Sequence, residues 1–171
     1  MRVITLPIGW TVLLDCVVWA VVGTLTGYLT HRVGPDGFTH DGPITRLRAF
    51  EADGRWYERR LRIKAWKARL PEAGALFRDG FSKRDLRSAE VEHLRRFVVE
   101  TRRAEITHWI VLACGPFFFL WNPWGLAVVM LVYAVVANVP CLLIQRYNRA
   151  RLLRVIATAS RSRGRVGDPP A

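Results

Sequence analysis

WIVLACGPFFFLWNPWGLAVVMLVYAVVANVPCLLIQ, residues 109–145, runs for 37 residues without an Asp, Glu, Lys, Arg or His. A membrane-spanning helix needs about 20 predominantly apolar residues. The stretch is long enough for a helical hairpin, and Asn122-Pro123 supplies the break between its arms. The expected arms are 106–121 and 124–145, the first being short unless it begins near Ile106. A second apolar stretch lies upstream, LPIGWTVLLDCVVWAVVGTLTGYLT at 6–30, whose one charged side chain is Asp15. It reads as an uncleaved anchor. Its apolar run exceeds a signal peptide's core, only Arg2 precedes it, and no A-x-A-like cleavage site follows. The predicted fold class is an all-α membrane protein with about three transmembrane helices. These are one N-terminal anchor and a C-terminal hairpin, joined by a basic, mainly helical cytoplasmic segment over 31–105. A basic cytoplasmic tail follows from 146 to 171, and the whole chain, 1–171, reads as a single membrane-embedded domain.

Charge supports this division. The 171 residues hold 26 Lys and Arg against 14 Asp and Glu, a formal net charge of +12. The mean hydropathy is nevertheless +0.12. Such a surplus of positive charge ordinarily points to nucleic acid or an anionic surface. Its distribution gives another reason: 18 basic residues fall between Arg32 and Arg103, 7 between Arg146 and Arg165, and none in the hairpin. The positive-inside rule then sets both basic regions in the cytoplasm, with the N-terminus and the Asn122-Pro123 turn outside. A multi-pass protein of the cytoplasmic membrane is expected, with no nucleic-acid partner, since no recognition module is present. Cys16, Cys114 and Cys141 lie singly in apolar runs, which argues against both a disulfide framework and a zinc site. No phosphate-binding glycine loop, G-x-S-x-G elbow or metal-ligand array occurs.

Between the apolar regions, 31–53 is rich in Gly, Pro and Asp and reads as a loop. GRWYERRLRIKAWKARL at 54–70 sets Trp56, Ile63, Trp66 and Leu70 at helical spacing among Arg and Lys. It is either a basic helix lying on the membrane surface or a solvated face that packs its Trp side chains onto the protein. Pro71 ends it, and Ser82 with Asp85 has capping-box spacing for the next helix.

Val91, Leu94, Val98, Thr101, Glu105, His108 and Leu112 then follow steps of 3 and 4, one continuous helical face. Its centre is Thr, Glu and His, where ionisable groups are expensive unless paired. Glu105 and His108 can meet on that face. A His held by a carboxylate in one tautomer serves as a general base; the same pair could instead anchor the helix at the interface. His108 and Asn138 each lie 15 residues from Pro123, so two regular arms at about 1.5 Å per residue bring them to similar depth. Asn138, Leu142, Gln145 and Arg149 share a face, and Pro140 frees a carbonyl near residue 136. Glu105, His108, Asn138 and Gln145 therefore form a candidate cluster at the interface. Arg146, Asn148, Arg149 and Arg151 lie just beyond it, able to hold an anionic group or simply to anchor the helix. Two further features compete with this cluster. His31 and Asp36 have the H-x4-D spacing used by some glycerolipid acyltransferases, and Asp15 is a carboxylate inside the first span.

RIKAWKARLPEAG with Phe77, ETRRAEITHW and ANVPCLLIQRYNRARL, in that order, resemble the glycosyl-4,4'-diaponeurosporenoate acyltransferase family. The resemblance runs from about Gly54 to Leu152. It implies a small membrane enzyme of carotenoid biosynthesis that esterifies a sugar hydroxyl of a glycosylated carotenoid, or a related glycolipid, with a fatty acyl group. It further implies an amphiphilic glycosylated acceptor and an acyl donor, acyl-CoA or acyl carrier protein, with no separate cofactor and no metal. On that basis His108 is the expected base and Glu105 its orienting group. Asn138 or Gln145 would donate to the oxyanion. Arg146 and Arg149 would bind donor phosphate, with Asn148 and Arg103 also among the substrate-binding positions. The rival expectation is a non-enzymatic cationic membrane scaffold or a protein that binds anionic lipid.

Overall fold

The computed structural model describes residues 6–51, 53–69 and 88–166. The expected terminus at Leu70 and Pro71 and the Ser82–Asp85 cap lie outside them. The described residues are mostly helical, and no strand occurs among them. Five α-helices are present among the described residues: α1 Ile8–Val33, α2 Arg55–Arg60, α3 Ile63–Trp66, α4 Ser88–Cys114 and α5 Trp124–Val166. The chain divides into two compact units, Met1–Gly37 with Arg103–Leu142, and Phe38–Arg102 with Leu143–Ala171.

The first unit is apolar on the outside. The buried residues of α1 are Thr11, Asp15, Thr26 and Thr30, and the residues between them that share this face, Trp19 and Val22, are half-buried. Leu13, Val17, Val21, Leu25 and Leu29 are exposed. A water-soluble amphipathic helix has the opposite arrangement. Small and hydroxyl-bearing residues inside, with branched apolar ones outside, are what helix packing in lipid uses. The start of α5 repeats the pattern, burying Ala127, Ala134 and Asn138 and exposing Val129, Val132, Val135 and Val136. Both helices are long and apolar enough to cross a membrane, with 11% of the most apolar stretch of α1 buried and 28% of that of α5. They are therefore not core helices of a water-soluble domain.

Among the described residues, these two helices meet that standard. The first expected hairpin arm, 106–121, is divided between two elements. The α-helix there stops at Cys114, and Gly115–Leu120 continues as a 3-10 helix. Pro116 supplies the reason: it lacks an amide donor and disfavours the α conformation in the residue before it. The arm's α-helical part is the end of α4, whose first half is charged. Gly115 is needed for closeness, because a Cβ there would sit 3.0 Å from the Ala134 Cβ and 3.3 Å from Leu131. α5 runs through Pro140 without ending.

The loop expected over 31–53 is present in part, and its residues from Phe38 on belong to the second unit. The exceptions are the end of α1 and two short 3-10 turns, Pro35–Phe38 and Ala49–Glu51. The single helix expected over 54–70 is broken. Arg62 takes a left-handed conformation (φ 47°) between α2 and α3, and Lys67–Arg69 is a 3-10 turn. The break turns Tyr57 and Ile63 inward against Ile144 and Tyr147, with Trp56 and Trp66 packed alongside. Packing onto the protein is thus the reading of this basic segment that the structure supports. Gly54, with φ 75°, leads into α2 where a side chain would press on Tyr147 and Arg151. The periodic face of α4 is buried as expected: Val91, Leu94 and Val98 pack on Leu152 and Ile156.

Candidate active site

In the first unit, α4 and α5 bring His108 and Asn138 together, with His108 Nδ1 3.0 Å from Asn138 Oδ1. The orientation of this contact follows from a second bond. Asn138 Nδ2 donates to the Ala134 carbonyl at 2.9 Å, so its oxygen is the atom that faces the ring. An amide oxygen only accepts, hence His108 Nδ1 carries the proton and Nε2 holds the lone pair. Asn138 is buried and His108 half-buried. The pairing is fixed on the buried Asn138 side, and the lone pair stands on the other ring nitrogen.

Glu105, one turn before His108, is fully buried, and its Oε1 accepts from Trp109 Nε1 at 3.3 Å. Around this pair α1 is tied to α4. Thr30 and Thr107 hydroxyls lie 3.1 Å apart, and Arg103 Nη1 donates to His31 Nδ1 at 3.1 Å. His31 is thus engaged by an arginine. Further along the same unit, Asp15 Oδ1 accepts from Trp121 Nε1 and Asn122 Nδ2, each at 2.8 Å. The buried carboxylate of the first span therefore holds the residues at the hairpin turn.

The second unit is built on an ionic node that spacing does not reveal. Arg146 Nε donates to Glu51 Oε1 at 2.8 Å and its Nη2 to Oε2 at 2.7 Å. The Tyr57 hydroxyl also donates to Glu51, as does the Arg48 amide at 2.7 Å. Burial alone would raise the Glu51 carboxyl, but the Arg146 and Tyr57 hydrogen bonds, the Arg48 amide and the Arg146 charge outweigh it and bring it down to about 2. Arg146 further donates to the Ile44 and Arg46 carbonyls, both at 3.0 Å. Arg149 donates to the Thr45 carbonyl and is fully buried. Asn148 is also buried, while Gln145 is half-buried.

Nearby, Glu58 accepts from Tyr147 and pairs with Lys64, both at 2.8 Å. These bonds hold it below the ordinary carboxylate range despite the opposing effect of burial. Burial lowers Lys67 to about 8, assisted by the positive charges of Arg151 and Lys64 against that of Glu58.

The residues matched by one family model are 42–158, and that family is described as glycosyl-4,4'-diaponeurosporenoate acyltransferase. The chain belongs to this acyltransferase family. Its members from Staphylococcus aureus strains MRSA252, bovine RF122 / ET3-1 and USA300 are each 27% identical to it over 143 residues. The alignments cover 84% of this chain and 86% of each relative. No solved structure matches. The match to the acyltransferase family begins before Gly54 and takes in Glu51 and Thr45, both of which sequence reasoning passed over. Their partners stand 95 and 104 residues away in the chain, and no local pattern marks them. Of the expected site residues, His108 and Asn138 are brought together. Glu105 bonds to the neighbouring Trp109, Arg103 meets His31, and Arg146 and Arg149 bond to Glu51 and to loop carbonyls. Among the described residues no group of three or more His, Cys, Asp or Glu could hold a metal ion.

Proposed function

We propose that this acyltransferase esterifies a sugar hydroxyl of a glycosylated carotenoid, or of a related glycolipid, with a fatty acyl group at the cytoplasmic membrane. The observation that carries the reading is the His108–Asn138 pair, which leaves Nε2 of His108 as a base. The acceptor hydroxyl gives its proton to Nε2 as its oxygen attacks the thioester carbonyl of the acyl donor. The tetrahedral intermediate then expels the thiolate, which takes the proton back from the imidazolium. Asn138 positions the ring. Glu105 lies one turn before His108 on the same helix face, where it accepts from Trp109. The remaining amide hydrogen of Asn138 is the candidate for the oxyanion.

Orientation follows from charge. The basic loop, α2, α3 and the tail face the cytoplasm, while the N-terminus and the Asn122-Pro123 turn lie outside. The apolar outer faces of α1 and α5 support insertion in a bilayer, and an amphiphilic acceptor shares that medium.

His108→Ala should lower ester formation by about 10²–10⁴-fold, the usual worth of a general base, with unchanged protein in the membrane fraction. The readout is mass spectrometry of extracted lipids and pigments from a deletion strain carrying the variant. Full ester production by that variant would rule out the base.

A further inference from the structure

We propose that a cavity beside α2 binds the nucleotide head of the acyl donor, a coenzyme A-type thioester. This rests on the acyl transfer proposed above and names the donor and where it is held. The cavity has a volume of about 460 Å³ and is lined by Trp56, Arg59 and Arg60 among the described residues. That volume falls in the usual small-molecule range of roughly 300–1,000 Å³.

Its charge is uncompensated. Both arginines are exposed, and among the described residues the side chain of neither makes an ion pair or a hydrogen bond. The acidic residues nearby in the chain are engaged elsewhere. Glu58 is bound to Lys64 and Tyr147, Glu51 to Arg146 and Tyr57, and Asp53 to Arg55 at 3.2 Å. Two guanidinium groups are thus left with their forked donors available, the geometry that recognises phosphate oxygens in pairs.

The third wall adds shape. Trp56 is braced edge-on by Phe50 and Tyr57, with ring centroids at 5.2 and 5.1 Å. A fixed indole beside two cations suits a flat heterocycle carrying phosphates, since bases stack on aromatic side chains whatever their sequence. A lipid headgroup offers the phosphate and lacks the ring. Arg146 and Arg149, the positions that spacing favoured for donor phosphate, are bonded to Glu51 and to loop carbonyls, so the role passes to α2.

The test is calorimetry on the full-length protein in nanodiscs of neutral lipid, titrated with coenzyme A, pantetheine or inorganic phosphate. Coenzyme A should bind, with at least tenfold weaker affinity in Arg59→Gln/Arg60→Gln and in Trp56→Leu. Pantetheine and inorganic phosphate should not compete at equal concentration. The arginine pair is on the surface, so its double variant should keep the wild-type melting temperature and report binding alone. Unchanged affinity in that variant, absence of coenzyme A binding, or equal competition by inorganic phosphate would overturn the proposal. So would loss of coenzyme A binding when phosphatidylglycerol is included, which would mark a headgroup site. His108→Ala should bind coenzyme A normally. Loss of ester with binding retained then concerns the base alone, and ester formation without coenzyme A binding concerns this cavity alone.

Discussion

Glu51→Gln removes the charge from the node that joins the loop before α2 to α5 and leaves its shape nearly intact. The Glu51 carboxyl stands at about 2, against an ordinary 4.5. At about 1.4 kcal/mol for each tenfold change, that difference is worth about 3 kcal/mol in favour of the ionised, folded form. Because the folded value is depressed, this stability is complete above pH 4.5 and is lost as the pH falls towards 2. At neutral pH the variant should forfeit the whole amount, since Arg146 is left buried against a neutral amide. A loss of 1 kcal/mol lowers Tm by about 2–4 °C for a chain of this size, so a fall of about 6–12 °C is expected. Thermal unfolding of the detergent-solubilised protein, followed by Trp fluorescence at pH 7, 5, 4 and 3, measures it. The gap between wild type and variant should narrow below pH 4.5 and close towards pH 2. A variant within 1 °C of wild type at pH 7, or a gap independent of pH, would refute the assignment of this stability to the ionised pair.

Asn138→Leu keeps the volume near α5 and removes the acceptor for His108 Nδ1; ester formation should drop by at least tenfold, with Asn138→Gln recovering little, measured as product in membranes of matched protein content. Gly115→Leu forces a side chain into the 3.0 Å approach to Ala134 and should cost about 1–3 kcal/mol, read as a lower Tm in detergent. Asp15→Leu strands the Trp121 and Asn122 donors and should cost a similar amount, about 1–3 kcal/mol. Asp15→Asn keeps an acceptor oxygen and should cost less, which a comparison of the two melting curves will show.

The sequence was most legible where one helix sets its own period. The buried face from Val91 to Glu105 follows directly from steps of three and four. The meeting of His108 with Asn138 follows from counting outward from Pro123. Legibility failed where chemistry depends on distant partners: nothing near Glu51 announces Arg146, and nothing near Thr45 announces Arg149. It also failed at Gly115-Pro116. Hydropathy averages across that dipeptide, whereas the backbone reacts to a missing amide hydrogen and converts to a 3-10 helix. The basic segment at 54–70 was ambiguous for a different reason. Its Trp spacing suits a straight interfacial helix, and a single left-handed residue, Arg62, redirects it onto α5.

Each compact unit is assembled from an early and a late stretch of chain, one from Met1–Gly37 and Arg103–Leu142, the other from Phe38–Arg102 and Leu143–Ala171. During synthesis, therefore, neither unit can be finished until its late stretch has left the ribosome. Glu51 waits 95 residues for Arg146, and Asp15 waits 106 for Trp121. A nascent chain cut before α4 has a membrane anchor with no partner and, at Glu51, a carboxylate with no counter-ion. Quality control would meet such a fragment as a substrate for proteolysis, so loss-of-function truncations anywhere before Leu143 should leave no stable half-protein behind.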